Sequence, residues 1–213
     1  YPENKGRKLW LFLDEIQNIT GWEVFVRNLL DDGIKVYLSG SSAKLLSKEI
    51  ATSMRGRNLS YEVLPFSFKE YLRANGVIHV KNLSTSEKAK ISHFLREFSN
   101  FGSYPEVIIY KQEREKILED IRETIIYRDV VERHNIRNIK VLRELISALI
   151  NSKEFSVNKF YNYLKSRGLE ASKDTLYHYI QYLNDAYFVF PVNKFSYSKR
   201  KKEISIPKIY FVD

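Results

Sequence analysis

The chain has 213 residues, of which 44% are hydrophobic and 14% aromatic, so it can bury sizeable cores in one or two domains. It contains no cysteine, which excludes a disulfide framework, a thiol nucleophile and a cysteine-ligated zinc site. The longest apolar runs are as short as strands and no signal peptide is visible, so we expect a cytoplasmic protein that does not enter a membrane.

The formal net charge of +9 is unevenly distributed. Residues 139–213 contain 13 Lys or Arg and 7 Asp or Glu, whereas residues 1–138 contain 22 and 19. A basic C-terminal end indicates a nucleic-acid partner, because Lys and Arg neutralise phosphates and supply most of the sequence-independent affinity. The alternative is that the positive excess only keeps the protein soluble.

A short apolar run near the N-terminus ends in two acids. Residues 9–13 (LWLFL) predict a strand of a parallel sheet that is buried on both faces, and Asp14 and Glu15 follow it. In open α/β sheets ligands bind at this edge. One carboxylate would join the Mg²⁺ shell and the next would orient an attacking water. The alternative is a strand that stops at a solvated acidic turn.

A helix and a second strand follow this first strand. Residues 22–30 have apolar side chains at helical spacing, Asp31-Asp32-Gly33 ends the helix, and residues 34–38 form another apolar run. The alternation predicts a βαβ unit with both strand ends on one edge. Ser39 or Ser41, after the second strand, would sense a γ-phosphate there.

Four segments carry a resemblance to a known family. LWLFLDEIQN resembles a Walker B strand, and VYLSGSSAKLL resembles the sensor-1 strand of an AAA+ ATPase. MRGRN (54–58) and LPFSFKEYL (64–72) sharpen the resemblance to a prokaryotic, archaeal and bacterial, group of AAA+-type P-loop ATPases. In that group the ATPase module is followed by a helical lid, a winged helix and a restriction-endonuclease-like domain.

The resemblance implies the domain organisation and the ligands. We expect a partial α/β parallel-sheet AAA+-type ATPase core over residues 1–74, an α-helical lid over 75–138 and a winged-helix domain over 139–213 that runs into a following domain. The implied ligands are Mg²⁺ and ATP, with Asp14 as the Mg²⁺-associated acid and Glu15 as the water-orienting base. A homo-oligomer is a further expectation.

Arginines in two segments could also reach nucleotide. Arg55 and Arg57 follow the sensor strand, ahead of a predicted strand at Leu64, where a positive charge can contact a γ-phosphate in cis or from a neighbouring subunit. The alternative is a salt bridge with Glu49 or Glu62.

The second segment, residues 127–133, resembles the R-D-V-x-x-R stretch at the end of the family's lid. Its Arg128 and Arg133 reach nucleotide in that interpretation. The alternative is that they form i,i+4 pairs with nearby acids such as Asp129 and Glu132.

The chain has no G-x-x-x-x-G-K-[ST] segment, and residues 40–44 have the wrong spacing for one. Without backbone N–H groups and a Lys to cradle phosphates, these 213 residues alone should bind ATP weakly and hydrolyse essentially none. We interpret them as a piece of a longer ATPase that lacks the Walker A segment and the nuclease-like domain. A degenerate ATPase is the alternative.

The C-terminal third has the pattern of a winged helix. Residues 141–150 predict one helix, Ser156 caps a second that ends at Gly168, and Ser172 or Asp174 opens a third. Strand-like residues 187–192 and 204–212 flank a basic tip, so three helices and a hairpin result.

In a winged helix the third helix and the wing contact DNA. The candidate residues for duplex DNA are Lys173, Thr175, Tyr177, His178 and Gln181 on that helix and Lys199, Arg200, Lys201 and Lys202 in the wing. The alternative is that this unit contacts another protein or packs on a neighbouring ATPase domain.

The sequence therefore predicts a nucleotide-driven ATPase switch that acts with nucleic acid. The rival interpretation is a non-enzymatic winged-helix regulator or assembly module with a vestigial ATPase core.

Overall fold

The computed structural model describes residues 9–46, 52, 54, 56–78, 84–152, 154–198, 200 and 205–212. Its helices and strands are β1 (Trp10–Leu13), α1 (Trp22–Asp31), β2 (Lys35–Leu38), α2 (Phe68–Ala74), α3 (Thr85–Phe101), α4 (Pro105–Ile109), α5 (Arg114–Thr124), α6 (Ile139–Ile150), α7 (Val157–Ser166), α8 (Lys173–Asp185), β3 (Val189–Val192) and β4 (Lys208–Phe211). Short 3₁₀ helices cover Ile16–Asn18 and Ala43–Leu46, and a π-helix covers Ile125–Glu132.

The N-terminal part forms the predicted βαβ unit. Strands β1 and β2 are parallel, and their register pairs Leu13 with Leu38. Gly33 follows the end of helix α1 and has a φ of 77°, a left-handed conformation that suits a glycine. The Ile34 N–H donates to the Leu29 carbonyl at 3.0 Å and so caps the C-terminal end of the helix. One face of the unit is closed by a small core of Ile16, Trp22, Val26 and Met54.

The other face of this sheet is open among the described residues. Trp10, Phe12 and Tyr37 are 52%, 70% and 46% exposed, and the rings of Trp10 and Phe12 each stack on Tyr37. The prediction of a strand buried on both faces is therefore wrong, because the described elements cover only the side that carries α1. The strand predicted at Leu64 is also not formed, since residues 57–64 make no strand pairing.

Helices α2 to α5 form a separate helical layer. Ser67 and Glu70 make a capping box at the start of α2, and the hydrogen bonds from Ser67 hold the pKa of Glu70 below its ordinary value. Part of the LPFSFKEYL segment is therefore the capped N-terminus of helix α2. Inside the layer Arg114 is buried, pairs with Glu97 at 2.7 Å and lies over the Phe101 ring.

The C-terminal part has the predicted three helices and two antiparallel strands, β3 and β4. Ser156 and Ser172 cap α7 and α8, as the sequence predicts, and α7 is followed by Gly168 in a left-handed conformation. Helix α6 begins two residues earlier than predicted, at Ile139, because Asn138 caps it. The strands pack on a continuous apolar core built from all three helices.

The π-helix connects the helical layer to this C-terminal core. Its Ile126 and Val130, together with Ile136 beyond it, are buried in the same cluster as the residues of α6, α7 and α8. The turn that follows the π-helix includes Asn135, which takes a left-handed φ of 50°. The ring of His134 stacks on Tyr182 of α8 with a centroid distance of 3.6 Å. The π-helix is thus packed as part of the C-terminal unit.

Across the described residues, no helix combines the length and the apolar character needed to cross a membrane.

We expect Leu145→Ala to lower the free energy of unfolding by roughly 2–5 kcal/mol, because Leu145 is fully buried in the C-terminal core and its truncation leaves a cavity. Ile150→Ala is the matched control on the same helix, since Ile150 is 62% exposed and should change the value by about 0.5 kcal/mol at most. Urea unfolding of the three proteins measures both. Equal effects would contradict the assignment of the core.

Candidate nucleotide site at the edge of the parallel sheet

The register of β1 and β2 brings the two strand ends together. Because Leu13 pairs with Leu38, the next residues on each strand, Asp14 and Ser39, lie side by side. The Ser39 N–H donates to the Leu13 carbonyl at 3.0 Å, and the Ser39 hydroxyl donates to Asp14 Oδ1. An acid and a hydroxyl from two strands thus meet at one edge, which is where the sequence predicts a phosphate and its metal ion.

Glu15 occupies an unusual backbone conformation at this edge. Its φ of 50° and ψ of 40° lie in the left-handed region, which costs roughly 1–2 kcal/mol for a residue with a side chain. The side chain is held by two donors: Gln17 Nε2 and, at 3.3 Å, Ser41 Oγ, both bonded to Oε2. The strained backbone and these donors fix where the carboxylate lies.

Gly40 allows the turn after β2 to lie close to the turn after β1. A Cβ atom at this position would lie 2.0 Å from Gln17 Oε1 and 2.5 Å from Leu45 Cδ1. A larger residue at position 40 would therefore require the side chains of Gln17 and Leu45 to shift. Gln17 Oε1 is buried and makes no hydrogen bond among the described residues.

Asp129 of the π-helix and Arg133, which directly follows the π-helix, join this edge. Arg133 Nη2 lies 2.8 Å from Asp129 Oδ1, 3.1 Å from Ser41 Oγ and 4.0 Å from Glu15 Oε2. Asp129 Oδ1 in turn accepts from Ser41 Oγ at 3.1 Å. The predicted i,i+4 pairing of Arg133 is therefore present. The sequence did not predict that the pair also contacts the two strand ends.

Burial raises the pKa of Asp129. The residue is 6% exposed, and desolvation raises its pKa above the ordinary value; Arg133 and the Ser41 hydroxyl oppose this shift, while the nearby Glu15 adds to it. The folded protein therefore binds this proton more tightly than the unfolded chain. Protonated Asp129 therefore adds to the free energy of unfolding at pH values below the pKa that this residue has in the unfolded chain. This contribution is lost as the pH rises through the pKa that Asp129 has in the folded protein.

Of the two predicted arginines, the structure describes only Arg57, and it pairs away from this cluster. Arg55 lies outside the described residues. Arg57 Nη1 pairs with Asp31 at 2.8 Å, and Asp31 ends α1, a ten-residue helix that leads away from the strand edge over about 15 Å. Arg57 therefore forms an ion pair, but its partner is Asp31 and not the predicted Glu62. Glu62 instead hydrogen-bonds Tyr187, whose pKa is raised to about 12 by burial and by this bond. The other predicted partner, Glu49, lies outside the described residues.

The candidate DNA contacts on α8 are exposed to different extents. Lys173 and Tyr177 are exposed, and the Lys173 ammonium lies over the Tyr161 ring at 5.4 Å. The Thr175 hydroxyl bonds the Ser172 cap, and Gln181 donates to Asp185 at 2.8 Å.

His178 stacks on Tyr182, at 6.1 Å between ring centroids, on the side of α8 that faces His134. In the basic segment predicted to form a wing, Arg200 is exposed, and Lys199, Lys201 and Lys202 lie outside the described residues.

Two families match the chain. The AAA domain family matches residues 1–72, which include β1, β2 and the strand-edge acids. The family described as a domain of unknown function (DUF8612) matches residues 92–213, more than half of the chain. The chain belongs to this second family. The DUF8612 region begins within α3 and includes the π-helix and α6 to β4, so it supplies Asp129 and Arg133 to the site.

Two of the relatives are archaeal and one is bacterial. The chain is 46% identical over 207 residues to "Uncharacterized protein MJ1544" of Methanocaldococcus jannaschii, covering 95% of this chain and 46% of the relative. It is 28% identical over 210 residues to an uncharacterized protein of Haemophilus influenzae, covering 97% and 51%. A second M. jannaschii protein, MJ1637, is 28% identical over 232 residues, covering 96% and 46%.

The chain thus spans about half the length of the curated relatives it matches. No solved structure matches it. The AAA match and the small parallel sheet together indicate an AAA-like domain at the N-terminus, joined to the DUF8612 region.

We expect Arg133→Gln to raise the pKa of Asp129 further, because the arginine provides the largest opposing contribution to the burial effect. The carboxyl carbon of Asp129, followed by NMR through an acid titration, measures the shift. Arg122→Gln is the matched control, since Arg122 pairs only with Glu119 and Glu123 among the contacts described for it. An unchanged or lowered pKa in Arg133→Gln would contradict the electrostatic role of the pair.

Proposed function

We propose that the chain is part of an ATPase of the AAA type that binds and hydrolyses ATP at the edge of the parallel sheet. The observation that carries this proposal is the meeting of Asp14, Glu15, Ser39 and Ser41 at the ends of two parallel strands, inside the region matched by the AAA domain family. Ligands bind at this edge of open α/β sheets. Acids and hydroxyls from neighbouring strands are the groups that nucleotide hydrolysis needs there.

The residues fit a magnesium ion that arrives with the nucleotide. Among the described residues no group of three or more acidic or histidine side chains could hold a metal ion alone. Mg²⁺ in nucleotide enzymes is commonly held by one or two carboxylates together with substrate phosphates and water. Asp14 would supply the carboxylate, and the ion would neutralise charge on the phosphates. Ser39, bonded to Asp14, orients that carboxylate.

Glu15 has the second role in this proposal, as the group that orients the attacking water. Its carboxylate is held by Gln17 and Ser41 instead of moving freely in solvent. Ser41 or Ser39 would contact the γ-phosphate. Arg55 and Arg57 remain proposed contacts to the γ-phosphate from a neighbouring subunit of a homo-oligomer, because the described Arg57 lies with Asp31.

We propose further that the C-terminal unit is a winged helix that contacts duplex DNA. Three helices precede the β3–β4 pair, and an isolated antiparallel bridge joins Glu154, between α6 and α7, to Lys208 of β4. This order of elements supports a winged helix. The exposed N-terminal half of α8 and the basic segment 198–202 would then contact the groove and the phosphates.

One observation favours the rival function, a protein-contact or assembly module. Helix α8 lies close to the 3₁₀ helix Ala43–Leu46 and to the π-helix, so its C-terminal half is occupied within the chain. A helix held in this way can serve to join domains. Lys173, Tyr177, His178 and Gln181 are still exposed on this helix.

Glu15→Gln should lower the rate of ATP hydrolysis at least tenfold, about 1.4 kcal/mol on the barrier, because glutamine cannot act as the water-orienting base. The test uses the longest natural polypeptide that contains residues 1–213, since the P-loop is absent from these residues. Glu115→Gln, at an exposed position on α5, is the control with the same change of charge. A normal rate in Glu15→Gln would refute the assignment.

Duplex binding should weaken steeply with salt, with a log–log slope of about −0.9 per phosphate contacted. Replacing Lys199, Arg200, Lys201 and Lys202 together with Ala should flatten the slope. A control variant removes four exposed charges from the helical layer: Lys88, Lys90, Arg96 and Lys116. Titration of labelled duplex at two salt concentrations measures both variants. Absence of binding at low salt would leave the C-terminal unit as a protein-contact module.

A further inference from the structure

One hydroxyl at the strand edge serves two carboxylates. Ser41 Oγ lies 3.3 Å from Glu15 Oε2 and 3.1 Å from Asp129 Oδ1. A hydroxyl has a single proton, so it donates to one of these acids at a time, while its lone pairs accept from Arg133 Nη2 at 3.1 Å. The bond from Ser41 to Glu15 therefore competes with the bond from Ser41 to Asp129.

One guanidinium faces the same two carboxylates. Arg133 Nη2 pairs closely with Asp129, at 2.8 Å, and more distantly with Glu15, at 4.0 Å. The side chains of Arg133, Asp129 and Glu15 are 20%, 8% and 28% exposed in these pairs, so solvent and salt screen them less than a surface pair. Asp129 fixes the arginine, and the arginine attracts the carboxylate of Glu15.

The backbone of Glu15 indicates why such support is needed. A residue in the left-handed region persists only where its surroundings hold it, and such residues occur at functional sites. The groups that hold the Glu15 side chain are Gln17 from its own turn, Ser41 from the turn after β2, and Arg133 at the C-terminal end of the π-helix segment. The last of these belongs to a segment packed in the C-terminal core.

We propose that Asp129 and Arg133 are positioning residues for Glu15, and that Ser41 exchanges its hydrogen bond between Glu15 and Asp129 when nucleotide occupies the site. The proposal rests on the proposed function, in which Glu15 orients the attacking water. When Glu15 accepts a hydrogen bond from that water, Ser41 turns to Asp129, and Arg133 keeps both acids in place. The C-terminal unit thereby regulates hydrolysis, because the π-helix and the residue that follows it carry Asp129 and Arg133.

The kinetic test compares three variants of the longest natural polypeptide that contains residues 1–213. Arg133→Gln should lower kcat about tenfold or more with little change in KM, because misplacing a catalytic group slows the chemical step more than it weakens substrate binding. Arg133→Lys keeps the charge and should recover part of kcat. Arg122→Gln removes the same charge from an exposed side chain of α5 and should leave kcat unchanged.

A double-variant cycle tests whether the two residues act as a unit. If Asp129 acts through Arg133, then Asp129→Asn combined with Arg133→Gln should lose no more of kcat than Arg133→Gln alone. Losses that multiply would overturn the arrangement in which Asp129 fixes Arg133. Melting temperatures of all variants accompany the kinetics, and equal loss of kcat in Arg133→Lys and Arg133→Gln with lowered melting temperatures would assign Arg133 to structure and overturn the proposal.

Failure of this inference is distinguishable from failure of the proposed function. If Glu15→Gln abolishes hydrolysis and Arg133→Gln has normal kcat, the site stands and the positioning role is refuted. If Glu15→Gln hydrolyses ATP normally, the proposed function itself is refuted, and the positioning role with it.

Discussion

The ladder of backbone hydrogen bonds between β1 and β2 determines how the residues that follow the two strands meet at the site. Its register pairs Leu13 with Leu38, so the first residues beyond each strand, Asp14 and Ser39, are forced into contact. A slip of one residue would turn each side chain to the opposite face of the sheet. Gly40 then permits the two following turns to approach so closely that Ser41 reaches Glu15. The chemistry proposed for this edge depends on that register.

The second contribution to the site comes from far along the chain and by a different route. The π-helix and the residue after it present Asp129 and Arg133 to the strand edge, while Ile126 and Val130 of the π-helix are buried in the C-terminal core. π-helical turns are rare and occur often at functional sites. Here the π-helix segment contacts both the strand edge and the C-terminal core. A displacement of the C-terminal unit would therefore change the surroundings of Glu15, and occupation of the edge would be felt in that unit.

Local patterns in the sequence predicted much of this fold. Apolar runs located β1 and β2, helical spacing located α1 and the C-terminal helices, and the caps at Ser156 and Ser172 were readable because a capping serine acts on residues two or three positions away. The contact between Ser41 and Asp129 was not predictable, since 88 residues separate them and a local pattern does not specify which distant side chains meet. Likewise the open face with Phe12 reflects which elements cover the sheet, and a short apolar run does not specify that.

The chain has two tryptophans, and both belong to the βαβ unit. Trp22 is 5% exposed within the small core, whereas Trp10 is 52% exposed on the open face, stacked with Tyr37. Tryptophan fluorescence therefore originates entirely from the N-terminal unit, with a buried emitter shielded from iodide and an exposed one that iodide can quench. Red-edge excitation thus reports on this unit alone. The C-terminal unit, which is rich in tyrosine, remains spectroscopically silent at that wavelength.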